Sequence, residues 1–156
     1  MNVHWWSSIL LTGCLGLWSI APAGHAAEVE HMNAGSVIPE GPLFSAAVRV
    51  EDAVYLSGQI GVKPGTLELV EGGMAAQARQ ILDNIKTTLE ASGFGMDDIV
   101  KCTVMLADMD RWGAFNDVYR TYVTPPYPAR SAFGANGLAL GGLLEVECIA
   151  VAGAKW

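Results

Sequence analysis

Apolar residues recur along this chain with distinct rhythms, and each rhythm predicts an element. From Met74 they fall at 74, 78, 81, 82, 85 and 89, while Gln77, Arg79, Gln80, Asp83, Asn84 and Lys86 lie largely on the other side. That three-and-four spacing predicts an amphipathic helix, ended by Ser92-Gly93. Ile99 to Leu106 changes period: Val100, Cys102, Val104 and Leu106 alternate with Lys101, Thr103 and Met105, as in a strand with two different faces. Helical spacing returns at Trp112, Phe115, Val118, Tyr119 and Tyr122, with Asp110 as the expected N-cap and Pro125-Pro126 as the stop. Upstream, Phe44 to Val50 and Val54 to Gln59 flank the polar pair Glu51-Asp52 and predict a hairpin. Ala129 to Gly134 and Leu143 to Ala152 add two strands on either side of a Gly-rich stretch.

The predicted order is ββαβαββ, an α+β arrangement with two helices on one face of a single sheet. Its second face, carrying Thr103 and Met105, would stay bare in a lone chain. Self-association is the expected remedy, and sites would then form between subunits.

Composition narrows the chemistry. With 156 residues, 51% hydrophobic and 16% charged, the chain suits one packed domain. A formal charge of -7 is the wrong sign for an affinity built on phosphates, so nucleic acid is not an expected partner. All three histidines, His4, His25 and His31, precede residue 32. The body of the chain therefore has no Ser-His-Asp or Cys-His pair and no imidazole for zinc, and carboxylates must carry any proton transfer. Cys14, Cys102 and Cys148 show no CxxC spacing, and no metal site is legible. Whether Cys102 and Cys148 lie close enough to pair cannot be read from strand positions; buried free thiols are the expected default.

Residues 1 to 26 contain no Asp, Glu, Lys or Arg and run through an apolar stretch into Ala21-Pro22-Ala23-Gly24-His25-Ala26-Ala27. The pattern predicts a signal peptide over residues 1–27, cut near Ala26 or Ala27, and hence export to the periplasm or beyond. Two alternatives lie within it: an uncleaved anchor, and a lipobox, Leu11-Thr12-Gly13-Cys14, that would lipidate Cys14. Only those alternatives would attach the protein to a membrane. Residues 28–40 are expected to be a flexible lead into a domain spanning 41–154.

Several segments of that domain resemble one family. They are Gly41-Pro42-Leu43-Phe44-Ser45-Ala46-Ala47-Val48, Tyr55-Leu56-Ser57-Gly58-Gln59-Ile60, Gln77-Ala78-Arg79-Gln80 with Asp83-Asn84-Ile85-Lys86, Asp98-Ile99-Val100-Lys101, Asn116-Asp117-Val118-Tyr119, Pro128-Ala129-Arg130-Ser131 and Leu144-Glu145-Val146-Glu147-Cys148-Ile149-Ala150. In order and spacing they are similar to the Rid/YjgF family of reactive-intermediate imine and enamine deaminases. The resemblance implies a chorismate-mutase-like homotrimer with three clefts between subunits. It also implies cofactor-free hydrolysis of 2-imino acids, or their enamine tautomers, to 2-keto acids and ammonia.

It further assigns roles. Arg130 would grip the substrate carboxylate with its planar fork. Glu145 would hold and deprotonate the attacking water, sharing it with a backbone carbonyl near Ala132. Glu145 and Glu147 share one strand face, opposite Val146, Cys148 and Ala150, and Glu147 reads as exposed polarity. Ser57, Gly58 and Asn116 would shape the pocket, although Ser57 and Asn116 could equally serve only local structure. Phe44 stands where many members carry tyrosine, so a hydroxyl donor is missing, and Ala132 stands where some carry cysteine. A non-catalytic carboxylate-binding module is the competing expectation. Endoribonuclease activity, a label the family has also attracted, fits poorly with the acidic charge and the histidine-free body.

Overall fold

The computed structural model describes residues 26–33, 37 and 43–154. The segment expected to be a leader, with Cys14, lies outside them apart from Ala26 and Ala27, as do Gly41 and Pro42. Among the described residues no helix is long and apolar enough to cross a membrane.

Among the described residues seven strands form one mixed sheet: β1 (Val29–Met32), β2 (Ala47–Val50), β3 (Ala53–Leu56), β4 (Gln59–Ile60), β5 (Ile99–Leu106), β6 (Ala129–Gly134) and β7 (Leu144–Val151). Their lateral order is β1-β2-β3-β7-β5-β6, with β4 also paired to β7. Of these strands only β5 and β6 pair in parallel, joined by a crossover through α2 (Trp112–Tyr119). The predicted hairpin is β2–β3, and its turn places Glu51 at φ 53, a left-handed conformation uncommon for a residue with a Cβ. Two elements escaped the sequence pattern. β1 forms within the segment expected to be a flexible lead, because its backbone pairs with the outer edge of β2. β4 has only two residues, too few to show a period.

Helix α1 (Gly73–Ala91) stops at Ser92-Gly93 and buries Met74, Ala78, Ile81, Leu82, Ile85 and Leu89 against one face of the sheet. That face supplies Val54, Leu56, Val104, Leu106, Leu144 and Val146. Gln77 and Asn84, expected on the polar side, are buried instead. Each satisfies a loop backbone group: Gln77 Oε1 accepts from Leu143 N–H at 2.9 Å, and Asn84 Nδ2 donates to the Val62 carbonyl at 3.0 Å. Helix α2 also departs from expectation at both ends. Asp108, not Asp110, caps the start, accepting from Asp110 N–H at 2.9 Å in a 3-10 turn ahead of α2. The α-helix ends at Tyr119, after which shorter hydrogen bonds from Thr121 to Val118 and from Tyr122 to Tyr119 tighten the chain well before Pro125. Tyr122 still reaches α1, donating to Asp83 Oδ1 at 2.8 Å. Burial, then that hydrogen bond and the Asp83 charge, push its phenol up to about 12.

Cys102 and Cys148 form a disulfide, which corrects the expectation of free thiols. Strand alternation puts both on the helix-covered face, but only the register, which sets Cys102 directly opposite Cys148, brings the sulfurs together.

Candidate functional site

The predicted site residues gather at two separate places in one chain. Glu145 lies at the start of β7 beside a fault in the sheet. Tyr55 pairs with Ile149 and Gln59 with Val146, so three residues of one strand line, Leu56, Ser57 and Gly58, face two of β7, Glu147 and Cys148. This bulge separates β3 from β4 and turns Gly58 toward the Glu145 side chain. A Cβ on Gly58 would overlap Glu145 Oε1 and lie 2.8 Å from its Cδ, so the carboxylate rests directly on a glycine backbone. Ser57 anchors the bulge. Its hydroxyl donates to the Ser45 carbonyl at 2.7 Å, and its N–H donates to the Ala46 carbonyl at 3.0 Å. Burial, and secondarily the neighbouring Glu147 charge, raise the Glu145 carboxyl above the usual glutamate range, the direction that makes a carboxylate a better proton acceptor. Phe44, a short way before β2, is exposed.

Arg130 lies on the edge strand β6, opposite Cys102 and therefore on the helix-covered side. Its guanidinium carbon lies 4.5 Å from the Trp112 ring centroid, 4.6 Å from that of Tyr119 and 5.8 Å from that of Phe115. Among the described residues no carboxylate is within ion-pair distance of it. It opens into a cleft of about 550 Å³ lined by Asn116, Tyr119, Arg120, Tyr127, Pro128 and Arg130. Arg120 is already paired with Asp117 at 3.3 Å, leaving Arg130 as the unpaired cation there. Ala132 follows on the same face of β6, opposite Val104 and against the core. Among the described residues no group of three or more His, Cys, Asp and Glu is placed to hold a metal.

Arg130 and Glu145 are not brought together within one chain. Arg130 is level with Cys102 and Glu145 with Met105, three residues further along β5, and the two flanking strands lie on opposite sides of β5. At about 3.3 Å per residue and 4.8 Å per strand, the Cα atoms are roughly 14 Å apart. They also project to opposite faces, since Cys102 is buried under the helices and Met105 is not. A substrate of a few heavy atoms cannot touch both in a lone subunit. The aromatic lining was missed as site material: Trp112 and Tyr119 carry a helix-core period in the sequence, and nothing there marks them as neighbours of Arg130. Tyr127 had a signal, standing two residues before Ala129-Arg130.

The arrangement defines a class, a small α+β fold with one helix-sheathed and one bare sheet face, with an unpaired cation and a carboxyl of raised pKa set apart on opposite sides of the sheet. The family model described as "Endoribonuclease L-PSP" matches residues 36–152, and the chain belongs to this family. It is 44% identical over 110 residues to a protein of Capra hircus named 2-iminobutanoate/2-iminopropanoate deaminase, covering 70% of this chain and 80% of the relative. Among solved structures, yeast Mmf1 superposes with a TM-score of 0.75 at 35% identity, over 80% of this chain and 98% of Mmf1. RidA from an Antarctic Psychrobacter gives 0.71 at 39% identity, over 78% of this chain and 97% of that one. The YjgF-like fold expected from the sequence is the fold observed.

Proposed function

We propose that the protein hydrolyses 2-imino acids, or their enamine tautomers, to 2-keto acids and ammonia in clefts between the subunits of a homotrimer, without a cofactor. The observation that carries this reading is the division of labour between faces: an unpaired arginine on one side of the sheet and a glutamate of raised pKa on the other, too far apart in one chain to share a small substrate, so that a second copy would have to bring them together. The name of the goat relative supports the reaction class.

In that cleft the Arg130 fork takes the substrate carboxylate through two charge-assisted bonds and fixes the adjacent C=N carbon. Glu145 of a second subunit holds water, with a backbone carbonyl near Ala132 as its other partner. As the water oxygen bonds to the imine carbon, its proton passes to Glu145 and the C=N π pair moves to nitrogen. Glu145 then returns its proton to the carbinolamine nitrogen and takes up the hydroxyl proton as the C–N bond breaks, so ammonia leaves and a C=O remains; the proton left on Glu145 passes to the departing ammonia. Ser57, Gly58, Asn116 and Phe44 shape the walls. The test is direct: freshly generated 2-iminopropanoate or 2-iminobutanoate should release keto acid faster with the protein than without it. Release at the spontaneous rate would reject the enzyme.

A second reading, a carboxylate-binding module without turnover, draws on Phe44, whose ring lacks the hydroxyl many members carry. Saturable binding of a 2-keto acid with no imine hydrolysis would select it. RNA cleavage finds no support in a chain of charge -7 with no histidine after His31.

The proposal extends to the compartment. A charge-free apolar leader and a buried disulfide both suit export to an oxidising space, where such bonds persist. The processed chain would begin near Ala26 or Ala27, or at a lipidated Cys14.

A further inference from the structure

Arg130 is held in an unusual way. A half-buried arginine ordinarily finds an acid, and here it faces three rings. Trp112, Phe115 and Tyr119 succeed one another at i, i+3 and i+7, so they form one continuous strip along the whole of α2. Neighbouring rings pack at 5.8 Å and 5.4 Å between centroids. Phe115 and Tyr119 are buried, which fixes the strip to the core.

The two ways of holding an arginine differ in what they leave free. A carboxylate partner would occupy the N–H fork, whereas a ring attracts the cation through its π face and uses none of the donors. Tyr119 shows that the ring is what matters there: its hydroxyl is buried without a hydrogen-bond partner, so the side chain contributes its face and not its O–H.

We propose that the Trp112–Phe115–Tyr119 strip is a positioning device that fixes the Arg130 guanidinium with its fork unoccupied, ready for an incoming monocarboxylate. The inference rests on the carboxylate-binding role given to Arg130 above. In this role the rings act through the arginine and not on the attacking water or the C=N carbon. Their loss should therefore weaken substrate capture and leave the chemical step nearly intact.

The experiment uses the full chain, with 2-oxobutanoate binding by calorimetry and KM and kcat for 2-iminobutanoate. Trp112→Leu and Tyr119→Leu should each weaken 2-oxobutanoate about tenfold and raise KM to match, with a much smaller change in kcat. Trp112→Phe and Tyr119→Phe, which keep a ring, should recover most of that loss. In an Arg130→Lys background the Leu substitutions should add little, because the guanidinium they position is gone. Should a Leu variant fail to fold by circular dichroism, Trp112→Met at the strip's half-buried end keeps bulk without a π face and replaces it. Unchanged KM in the ring-less variants, or an equal effect with Arg130→Lys, would overturn the device while leaving the deaminase reading standing. Wild-type protein that binds no 2-oxobutanoate would instead overturn the carboxylate role of Arg130, and the device with it.

Discussion

The two faces of the sheet are built to different standards. Under the helices, Val104, Leu106, Leu144 and Val146 are fully buried and pack against fully or almost fully buried α1 residues. On the other face the same strands present Thr103, Met105, Glu145, Glu147 and Ile149 at partial or full exposure, with Tyr55 at 48% and Phe133 at 49%. Alternation within β5 and β7 assigns each side chain to one face or the other, so one pair of strands serves both purposes. The covered face supplies most of the buried packing, and the bare face leaves its side chains, Glu145 among them, open to solvent. Changes on the two faces should therefore fail in different ways.

The sharpest break is a charge on the bare face. Tyr55→Asp should leave the circular dichroism spectrum intact, yet reduce the mass seen by light scattering from about three subunits to one, and turnover should fall to the spontaneous rate. A wild-type protein that is itself a monodisperse monomer at micromolar concentration would sink the trimer. On the covered face, Leu106→Ala should do the opposite, costing about 2–5 kcal/mol of stability in chemical denaturation while the surviving folded protein keeps its specific activity. At the junction, Glu145→Gln should lower kcat on the order of 100-fold with a small effect on KM, whereas Arg130→Lys, which keeps the charge and loses the fork, should act mainly on KM.

Acidity sharpens the contrast further. The raised Glu145 carboxyl means that the folded chain holds this proton more tightly than the unfolded chain does. Its effect on stability is absent below the ordinary glutamate range and becomes a loss as pH rises through the raised value. Glu145→Gln should then be relatively more stable than wild type at neutral pH and show no such gain in acid. Because Glu147 contributes to the shift, Glu147→Gln should move the acid limb of kcat toward lower pH. The smallest effect is expected at Phe44→Tyr, where a restored hydroxyl should raise turnover on small imino acids a few-fold at most. Lower turnover would mean that the cleft favours bulkier, more apolar substrates.

Much of the fold could be read from period alone. α1, β5 and β6 fall where their patterns predict, because each has a single dominant rhythm long enough to count. The bare face followed from the same alternation. What period cannot convey is register. It hid the bond between Cys102 and Cys148, the bulge at Ser57-Gly58 that seats Glu145, and the placement of Arg130 and Glu145 on opposite faces. It also hid the second duty of Trp112 and Tyr119, since a ring that packs a core and a ring that cradles a cation carry the same spacing. Gln77 and Asn84 misled for a related reason: a buried amide serving a loop backbone looks, in sequence, like an exposed one.

The pairing of Cys102 with Cys148 turns the thiol count into a record of where a molecule has been. The chain has three cysteines, and the third, Cys14, lies in the segment proposed to be a leader. A molecule exported, trimmed after Ala26 or Ala27 and oxidised would react with no alkylating agent even when unfolded. One that kept its leader would take a single label. A molecule that never left a reducing compartment would take three, and a lipidated Cys14 would betray itself by added mass in place of a label. Denaturing alkylation followed by intact mass thus sorts the histories of individual molecules in one spectrum.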